Sequence, residues 1–348
     1  MSSDPVEALR QIAFLLERAR EPTYRVKAFR TAANTVAELP AGEIERRAKN
    51  GTLTDLPGIG KATATVVREA VSGQVPEYLA KLLPAGEAPL VTGGEKLRAT
   101  LRGDLHTHSD WSDGGSPIEE MASAARTLPS GPHDYMVLTD HSPRLTVANG
   151  LTPERLRSQL QAVAELNEKL APFRILTGIE CDILDDGSLD QEPELLDQLD
   201  IVVASVHSKL AMDRIAMTRR MVVAARNPLV DVLGHCTGRL LIGREGGKPR
   251  AESHFDPDKV FAACKENGVA VEINSRPERL DPPRRLLRLA VEMGCRFSID
   301  TDAHAPGQLD WQIYGCARAE ECEVESSTIV NTMDADGLLT WARDHHAS

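Results

Sequence analysis

The sequence predicts an α/β fold from residue 103 onward, preceded by a small all-α domain. Three observations lead there. Seven short β-like runs alternate with helical stretches, the rhythm of a parallel sheet with helices outside it. Before residue 103 the apolar spacing is helical: Leu9, Ile12, Ala13, Leu16 and Ala19 share one face. The chemistry-bearing residues collect at the C-terminal ends of the β-like runs, where parallel α/β barrels gather functional groups.

The helical domain spans residues 1–84. After Glu21–Pro22 the pattern continues through Val26, Phe29, Ala33 and Val36, and Ile44 to Lys49 suggests a short helix. Leu56-Pro57-Gly58-Ile59-Gly60-Lys61 then turns into a helix with Ala62, Val66 and Ala70 along one side, and Pro76 to Leu83 closes the unit. Residues 85–102, with Gly86, Pro89, Gly93 and Gly94, read as a linker. In the second domain, 103–348, the β-like runs are Gly103–Thr107, Tyr135–Thr139, Arg174–Gly178, Ile201–Val206, Val230–Gly234, Val269–Ile273 and Arg296–Asp300. Helical stretches separate them at Ile118–Thr127, Pro153–Leu170, Glu192–Leu199, Met212–Arg226, Pro257–Asn267 and Pro283–Met293.

Composition bounds the function. The 348 residues carry a net charge of −12 and only 4% aromatics. That excludes a broad basic nucleic-acid surface and a stacking platform for single strands. The charge is uneven: residues 1–84 hold 12 Lys+Arg against 10 Asp+Glu, and the remainder 28 against 42. No run approaches the ~18 apolar residues of a membrane span, and the N-terminus lacks a signal-peptide pattern. Six Cys without a CxxC pair indicate reduced thiols and a cytoplasmic setting.

Six of the ten His stand at strand ends: His106, His108, His141, His207, His235 and His304. Asp113, Glu180 and Asp302 join them. Imidazole with carboxylate suits Zn, Mn or Fe, and nine ligands overfill one tetrahedral ion but suit a cluster of two or three. His133, His254 and His345–His346 are expected at the surface, and Cys181 and Cys236, one residue past ligand candidates, as packed thiols. Asp104 and Asp140 are expected to orient imidazoles in a catalytic role. Lys209, Arg239, Arg276 and Arg279 follow strand ends and are candidate cations for substrate oxygens, Arg276 foremost. In the helical domain, Gly58 and Gly60 offer backbone N–H groups at a helix start, and Lys61, Arg25, Lys27, Arg30 and Arg68 could follow a DNA backbone.

His106-Thr107-His108, Thr139-Asp140-His141, His207 and Asp302-Ala303-His304 resemble the four motifs of the polymerase and histidinol phosphatase (PHP) superfamily, with Glu180 and His235 at its intervening metal positions. The resemblance extends from about Gly103 to the C-terminus. It implies a distorted seven-stranded (β/α) barrel and a trinuclear metal centre. One ion would take His106, His108, Glu180 and Asp302; a second would share Glu180 and add His207 and His235; a third would take Asp113, His141 and His304. Three divalent ions set against three carboxylates would leave that mouth at about +3.

Asp231 to Leu241 and Glu272 to Asp281 resemble the PHP domain of bacterial family X DNA polymerases more closely. Tyr24 to Ala33 resembles part of their lyase-like domain, and Leu56 to Lys61 their helix-hairpin-helix. About twenty residues separate the two domains, too few for a polymerase core. Val66 stands where such a lyase domain carries its Schiff-base lysine, so lyase chemistry is not expected. The resemblance implies a metal-dependent phosphoesterase acting on DNA ends, a 3′–5′ exonuclease or 3′-end-processing enzyme of DNA repair, by attack of a metal-bound hydroxide on phosphorus. A small-molecule phosphatase resembling histidinol-phosphate phosphatase is the second reading. A non-catalytic scaffold is the third, and the filled ligand set argues against it.

Overall fold

A computed structural model describes residues 4–243 and 247–346. The chain forms two compact units, one ending at Pro89 and the other beginning at Leu90. The first contains α1 (Pro5–Arg18), α2 (Thr23–Ala37), α3 (Glu43–Asn50), α4 (Lys61–Val71) and α5 (Glu77–Glu87). Asp4 caps α1 by accepting from the Glu7 N–H at 2.9 Å. Leu9, Ile12 and Leu16 on α1 are fully buried against Val26, Phe29, Val66, Val67 and Leu79. Each such side chain contributes roughly 2 kcal/mol of burial free energy.

Residues 85–102 differ from the expected linker. Helix α5 continues past Pro84 to Glu87, and Arg18 holds that end by donating to the carbonyls of Ala85 (3.3 Å) and Ala88 (2.9 Å). A four-residue helix, α6 (Glu95–Arg98), follows, and Leu97 and Leu101 are buried in the second unit's core. The apolar pair at this spacing carries the folding information that the glycines obscure.

The second unit is a seven-stranded parallel sheet in the order β1-β2-β3-β4-β5-β6-β7. The strands are β1 (Gly103–Thr107), β2 (Tyr135–Leu138), β3 (Arg174–Asp182), β4 (Ile201–Ser205), β5 (Val232–Leu233), β6 (Ala270–Asn274) and β7 (Phe297–Asp300). Helices α7 (Ile118–Ala125), α8 (Pro153–Leu170), α9 (Pro193–Leu196), α10 (Arg214–Ala225), α11 (Pro257–Glu266), α12 (Arg284–Glu292), α13 (Gln312–Glu321) and α14 (Ala335–His346) alternate with or follow them. β3 outruns its expected end because it changes partners. Residues 174–177 pair with β2 and residues 178–182 with β4. Gly178 sits at the changeover, where a Cβ would lie 2.8 Å from the Ile201 carbonyl oxygen.

A parallel backbone bridge between Thr107 and Ala303 closes the barrel at its C-terminal rim. Deeper down, side chains close the seam between β1 and β7. The Gln312 amide donates to the carbonyls of Gly103 (3.0 Å) and Ile299 (2.8 Å). Asn331 donates to the same two carbonyls and accepts from the Ile299 N–H at 2.7 Å. The Leu105 N–H donates to Asp300 Oδ1 at 2.8 Å. Backbone groups with no strand partner are thereby satisfied.

Two histidines expected at the surface are not there. His133 is 4% exposed, with Arg98 and Gln312 each 3.0 Å from Nε2. His345 packs its ring edge against the Val230 carbonyl and Asp231. Flanking polar residues suggested loops, but both rings sit beneath the sheet, where polar backbone needs partners. His254 is exposed, and the side chain of His346 lies outside the described residues. All six cysteines, Cys181 and Cys236 included, are buried and unpaired.

Burial and the neighbouring Arg98 push the His133 pKa down to about 3, from an ordinary value of 6.5. The native state therefore refuses a proton that the unfolded chain accepts, so stability falls as pH drops through 6.5 toward 3. For metal-free protein, His133→Gln is expected to remove about 2 kcal/mol of the stability lost between about pH 7 and about pH 5. Urea midpoints of both proteins at the two pH values measure this, and parallel losses would refute it.

Candidate metal centre

All nine expected ligand residues converge at the C-terminal end of the barrel. His106 and His108, two apart at the end of β1, point to the same side, as strand parity requires. Glu180, near the end of β3, lies at the middle. Its Oε1 is 2.9 Å from His235 Nε2 and 3.1 Å from His207 Nε2. Its Oε2 is 2.9 Å from His141 Nδ1, 3.3 Å from His106 Nε2 and 3.6 Å from His108 Nε2. Asp113 Oδ1 lies 3.4 Å from His141 Nε2 and 3.3 Å from His304 Nε2, and Asp302 Oδ1 is 3.5 Å from His108 Nε2.

Among the described residues three sets of donor atoms could hold an ion, each set within 4.8 Å of itself: His108, Asp113, His141 and His304; His106, His108 and Asp302; His141, Glu180 and His207; His235 belongs to none of them. His108 and His141 thus join two sets each, a more interlocked partition than the resemblance implies. The fit to divalent cations shows in unmet polar atoms. His106 Nε2, both ring nitrogens of His108, His141 Nδ1, Glu180 Oε2 and His235 Nδ1 are buried without a hydrogen bond. Orphaned lone pairs on this scale are costly unless a cation accepts them.

The electrostatics match. Burial disfavours a charged Glu180, but the imidazoles of His207, His106 and His141 outweigh it and hold its carboxyl well below the carboxylate range. Burial also works against charge on His106, yet Glu180 and Glu272 raise its pKa well above 6.5. His141 rises to about 10 against the same burial through Glu180 and Asp113. Burial and the neighbouring His304 and His141 push His108 well down, and burial and Arg279 bring His235 to about 4. His108 and His235 therefore stay neutral with lone pairs to offer.

Asp104 and Asp140 do not orient imidazoles. Asp104 accepts from the backbone N–H groups of His106 (3.1 Å) and Thr301 (3.3 Å) and from the Thr301 hydroxyl, so it ties β1 to the end of β7. Burial and Asp300 lift its pKa to about 8. Asp140 accepts from Ser109 N–H (2.8 Å), Ser109 Oγ (2.6 Å), the Ser112 hydroxyl and Gln159 Nε2 (2.6 Å), pinning the loop that carries Asp113. The imidazole partners are Glu272, 2.6 Å from His106 Nδ1, and Asp182, 3.2 Å from His207 Nδ1. Both carry a parity signal: Asp182 lies two past Glu180 on β3, and Glu272 two before Asn274 on β6.

The four candidate cations separate. Arg276, 21% exposed at its side chain, donates Nη1 to the Asp302 carbonyl at 2.7 Å and borders His304. Arg279 is buried, with Nε donating to Asp302 Oδ2 at 2.9 Å, so it is not open to substrate. Arg239 turns to the carbonyls of Arg279 (3.0 Å) and Leu280. Lys209 points outward and pairs with Asp185. Each of the last three sits near a carbonyl or carboxylate that sequence proximity to a strand end did not reveal.

In the helical unit, Gly58 has φ 75°, and a Cβ there would lie 2.5 Å from Thr31 Cγ2. The Thr35 hydroxyl donates to the Pro57 carbonyl at 3.0 Å and fixes the hairpin. Gly60 N–H donates to Thr63 Oγ1 at 2.9 Å, which leaves the N–H groups of Lys61, Ala62 and Thr63 without partners in the helix. Lys61, Lys27 and Arg68 are exposed. Arg30 is not available: both Nε and Nη2 donate to Glu17 at 2.6 Å in a buried pair. Arg25 pairs with Glu21 and with the Tyr78 hydroxyl at 2.7 Å. Val66 is 1% exposed in the core, so the position where a lyase lysine is sought faces away from solvent.

Residues 2–74 match the family model of the helix-hairpin-helix domain, and residues 104–276 that of the PHP domain. The DNA polymerase/3′-5′ exonuclease PolX of Bacillus subtilis is 41% identical over 231 residues, 66% of this chain; the chain spans 39% of that protein's length. A probable phosphatase of Thermoanaerobacter sp. is 30% identical over 211 residues, covering 58% of this chain and 78% of the relative. One from Caldanaerobacter subterraneus is 30% identical over 224 residues, covering 61% of this chain and 79% of the relative. A solved structure of histidinol phosphate phosphatase from Lactococcus lactis, complexed with zinc, L-histidinol and phosphate, aligns with TM-score 0.46 and 17% identity over 64% of this chain and 94% of that one.

Because Glu180 faces five imidazoles, Glu180→Gln is expected to lose at least one bound ion per chain, whereas His254→Ala, at an exposed site, is expected to keep the full complement. Elemental analysis after dialysis against Mn²⁺ measures both. An unchanged stoichiometry in Glu180→Gln would remove Glu180 from the centre.

Proposed function

The chain belongs to the PHP domain family and is a metal-dependent phosphoesterase, and from that premise we propose that it acts on DNA ends as a 3′–5′ exonuclease or 3′-end-processing enzyme of DNA repair. The observation that carries this reading is the helix-hairpin-helix domain in the same chain, with its hairpin at Gly58–Gly60 and exposed Lys61. The 41% identity to a relative named as a 3′-5′ exonuclease supports it. The units join directly at Pro89 and Leu90, leaving no polymerase core between them; the proposed activity is hydrolysis without synthesis. Six unpaired thiols fit a reducing cytoplasm.

The nine side chains would hold up to three divalent ions, Mn, Zn or Fe, which acidify water and neutralise phosphoryl oxygens. The protein's own groups do the positioning. Glu272 and Asp182 fix His106 and His207, Asp140 fixes the loop of Asp113, and Arg276 at the rim offers its guanidinium to a phosphoryl oxygen. The hairpin's free N–H groups and Lys61 hold a backbone phosphate without reading sequence. Among the described residues no helix is long and apolar enough to cross a membrane.

A second reading, a small-molecule phosphatase, is favoured by the 30% identity to probable phosphatases, of which this chain covers more than three quarters. An activity panel with Mn²⁺, Zn²⁺ or Fe²⁺ separates the two: labelled DNA carrying 3′-OH, 3′-phosphate or abasic ends, beside phosphomonoesters including histidinol phosphate. Shortening or trimming of 3′ ends is expected, abolished by His106→Ala. Intact DNA with brisk turnover of a phosphomonoester would establish the second reading.

Gly58→Pro with Lys61→Glu should weaken duplex binding and lower the salt slope by about one, because proline cannot adopt the positive φ and one phosphate contact is lost. Fluorescence anisotropy across a salt series measures this; unchanged binding would place DNA contact elsewhere.

A further inference from the structure

Asp302 has φ 54°, in the left-handed region. For a residue with a Cβ this costs on the order of 1 kcal/mol or more, and Asp and Asn tolerate it best. Its carboxylate is divided between two tasks. Oδ2 accepts from Arg279 Nε at 2.9 Å and lies 3.4 Å from Asn274 Nδ2, while Oδ1 faces His108 Nε2 at 3.5 Å. The left-handed backbone also turns the Asp302 carbonyl toward His304 Nδ1, 2.8 Å away, and Arg276 Nη1 donates to the same oxygen at 2.7 Å. With Nδ1 held beside that carbonyl and Arg276 Nη1, 3.0 Å away, the ring of His304 turns Nε2 into the cluster, 3.3 Å from Asp113 Oδ1. One strained residue thereby aims two ligands.

The strain is held from one side by a chain of contacts. Arg279 is 6% exposed, and its partner for Nε is the Asp302 carboxylate. The turn that presents it, with Leu280 at φ 44°, is fixed by Arg239, whose Nε donates to the Arg279 carbonyl at 3.0 Å and whose Nη2 donates to that of Leu280. We propose that Arg279 is a positioning residue: it occupies Oδ2 of Asp302 so that Oδ1 alone is offered to a divalent ion, and Arg239 sustains it by holding the turn. The contact is a single bond from Nε, at 2.9 Å, and a donor fixed in the guanidinium plane sets the direction of the carboxylate as well as compensating its charge. The proposal rests on the metal-centre reading and makes no use of the nature of the substrate.

The test is Mn²⁺ binding to full-length metal-free protein, read from the electron paramagnetic resonance of free Mn²⁺, for wild type, Arg279→Met, Arg279→Lys and Arg239→Lys. Circular dichroism checks folding, and hydrolysis of bis-p-nitrophenyl phosphate at saturating Mn²⁺ gives KM. Arg279→Met is expected to bind at least one ion roughly 10–100-fold more weakly, at unchanged KM. Arg279→Lys, which keeps the charge but not the donor fixed at Nε, and Arg239→Lys should fall between it and wild type. If Arg279→Met does not fold, the two lysine variants carry the same reading. Wild-type affinity and stoichiometry in the folded variants overturn the proposal, as does a raised KM with metal binding intact, which makes Arg279 a substrate contact. A wild-type protein that takes up no Mn²⁺ overturns the metal-centre reading and the proposal with it.

Discussion

A single buried carboxylate organises this barrel's open end. Glu180 lies within 3.6 Å of five imidazoles drawn from β1, the β2 rim, β4 and β5. A charged carboxylate at that depth is tolerable only with positive charge or hydrogen-bond donors around it. The histidines satisfy that need only in part, because several of their own nitrogens remain unmet. Each strand must therefore deliver its residue at the right height. The partner change of β3 at Gly178 serves this, since the second half of the strand carries Glu180 into register with β4. Packing, strand register and electrostatics all converge on one side chain.

Much of this was legible in the sequence. The βα rhythm located all seven strands, and their polar ends named nine residues that the fold brings together. What escaped were contacts that depend on a second element. Asp182 on β3 supports His207 past the end of the adjacent β4, and Glu272 on β6 supports His106 of β1 across β7; the relevant signal, a two-residue offset on one strand face, becomes meaningful only once the partner strand is known. Arg279 read as a cation for substrate oxygens and Arg30 as one for a DNA backbone because charge alone does not disclose a facing carboxylate; Asp302 lies 23 residues from the first and Glu17 lies 13 from the second. His133, in a polar segment, and His345, near the end of the chain, read as surface residues because the groups they meet, Arg98, Gln312 and the Val230 carbonyl, come from distant parts of the chain.

The charge pattern fits the division of labour. Three carboxylates of the acidic second unit, Asp113, Glu180 and Asp302, stand among the imidazoles at the barrel mouth, and the helical unit exposes Lys61, Lys27 and Arg68. Removing Arg30 and Arg25 from the expected set, because each already has an acidic partner, narrows the candidate grip to Lys61, Lys27, Arg68 and backbone N–H groups. A grip of that size would hold a polyanion loosely, since affinity for DNA rises steeply with the number of phosphates neutralised.

The seam between β1 and β7 carries a consequence for how the protein is made. Gly103 and Ile299 are joined through the amides of Gln312 and Asn331. During synthesis β1 leaves the ribosome more than two hundred residues before Asn331. Until β7, Gln312 and Asn331 follow it in turn, one edge of β1 lacks its strand neighbour and the amides that close the seam. His106 and His108 wait 196 residues each for Asp302 and His304. The order of translation therefore makes closure of the barrel and completion of the nine-residue cluster late and nearly coincident events.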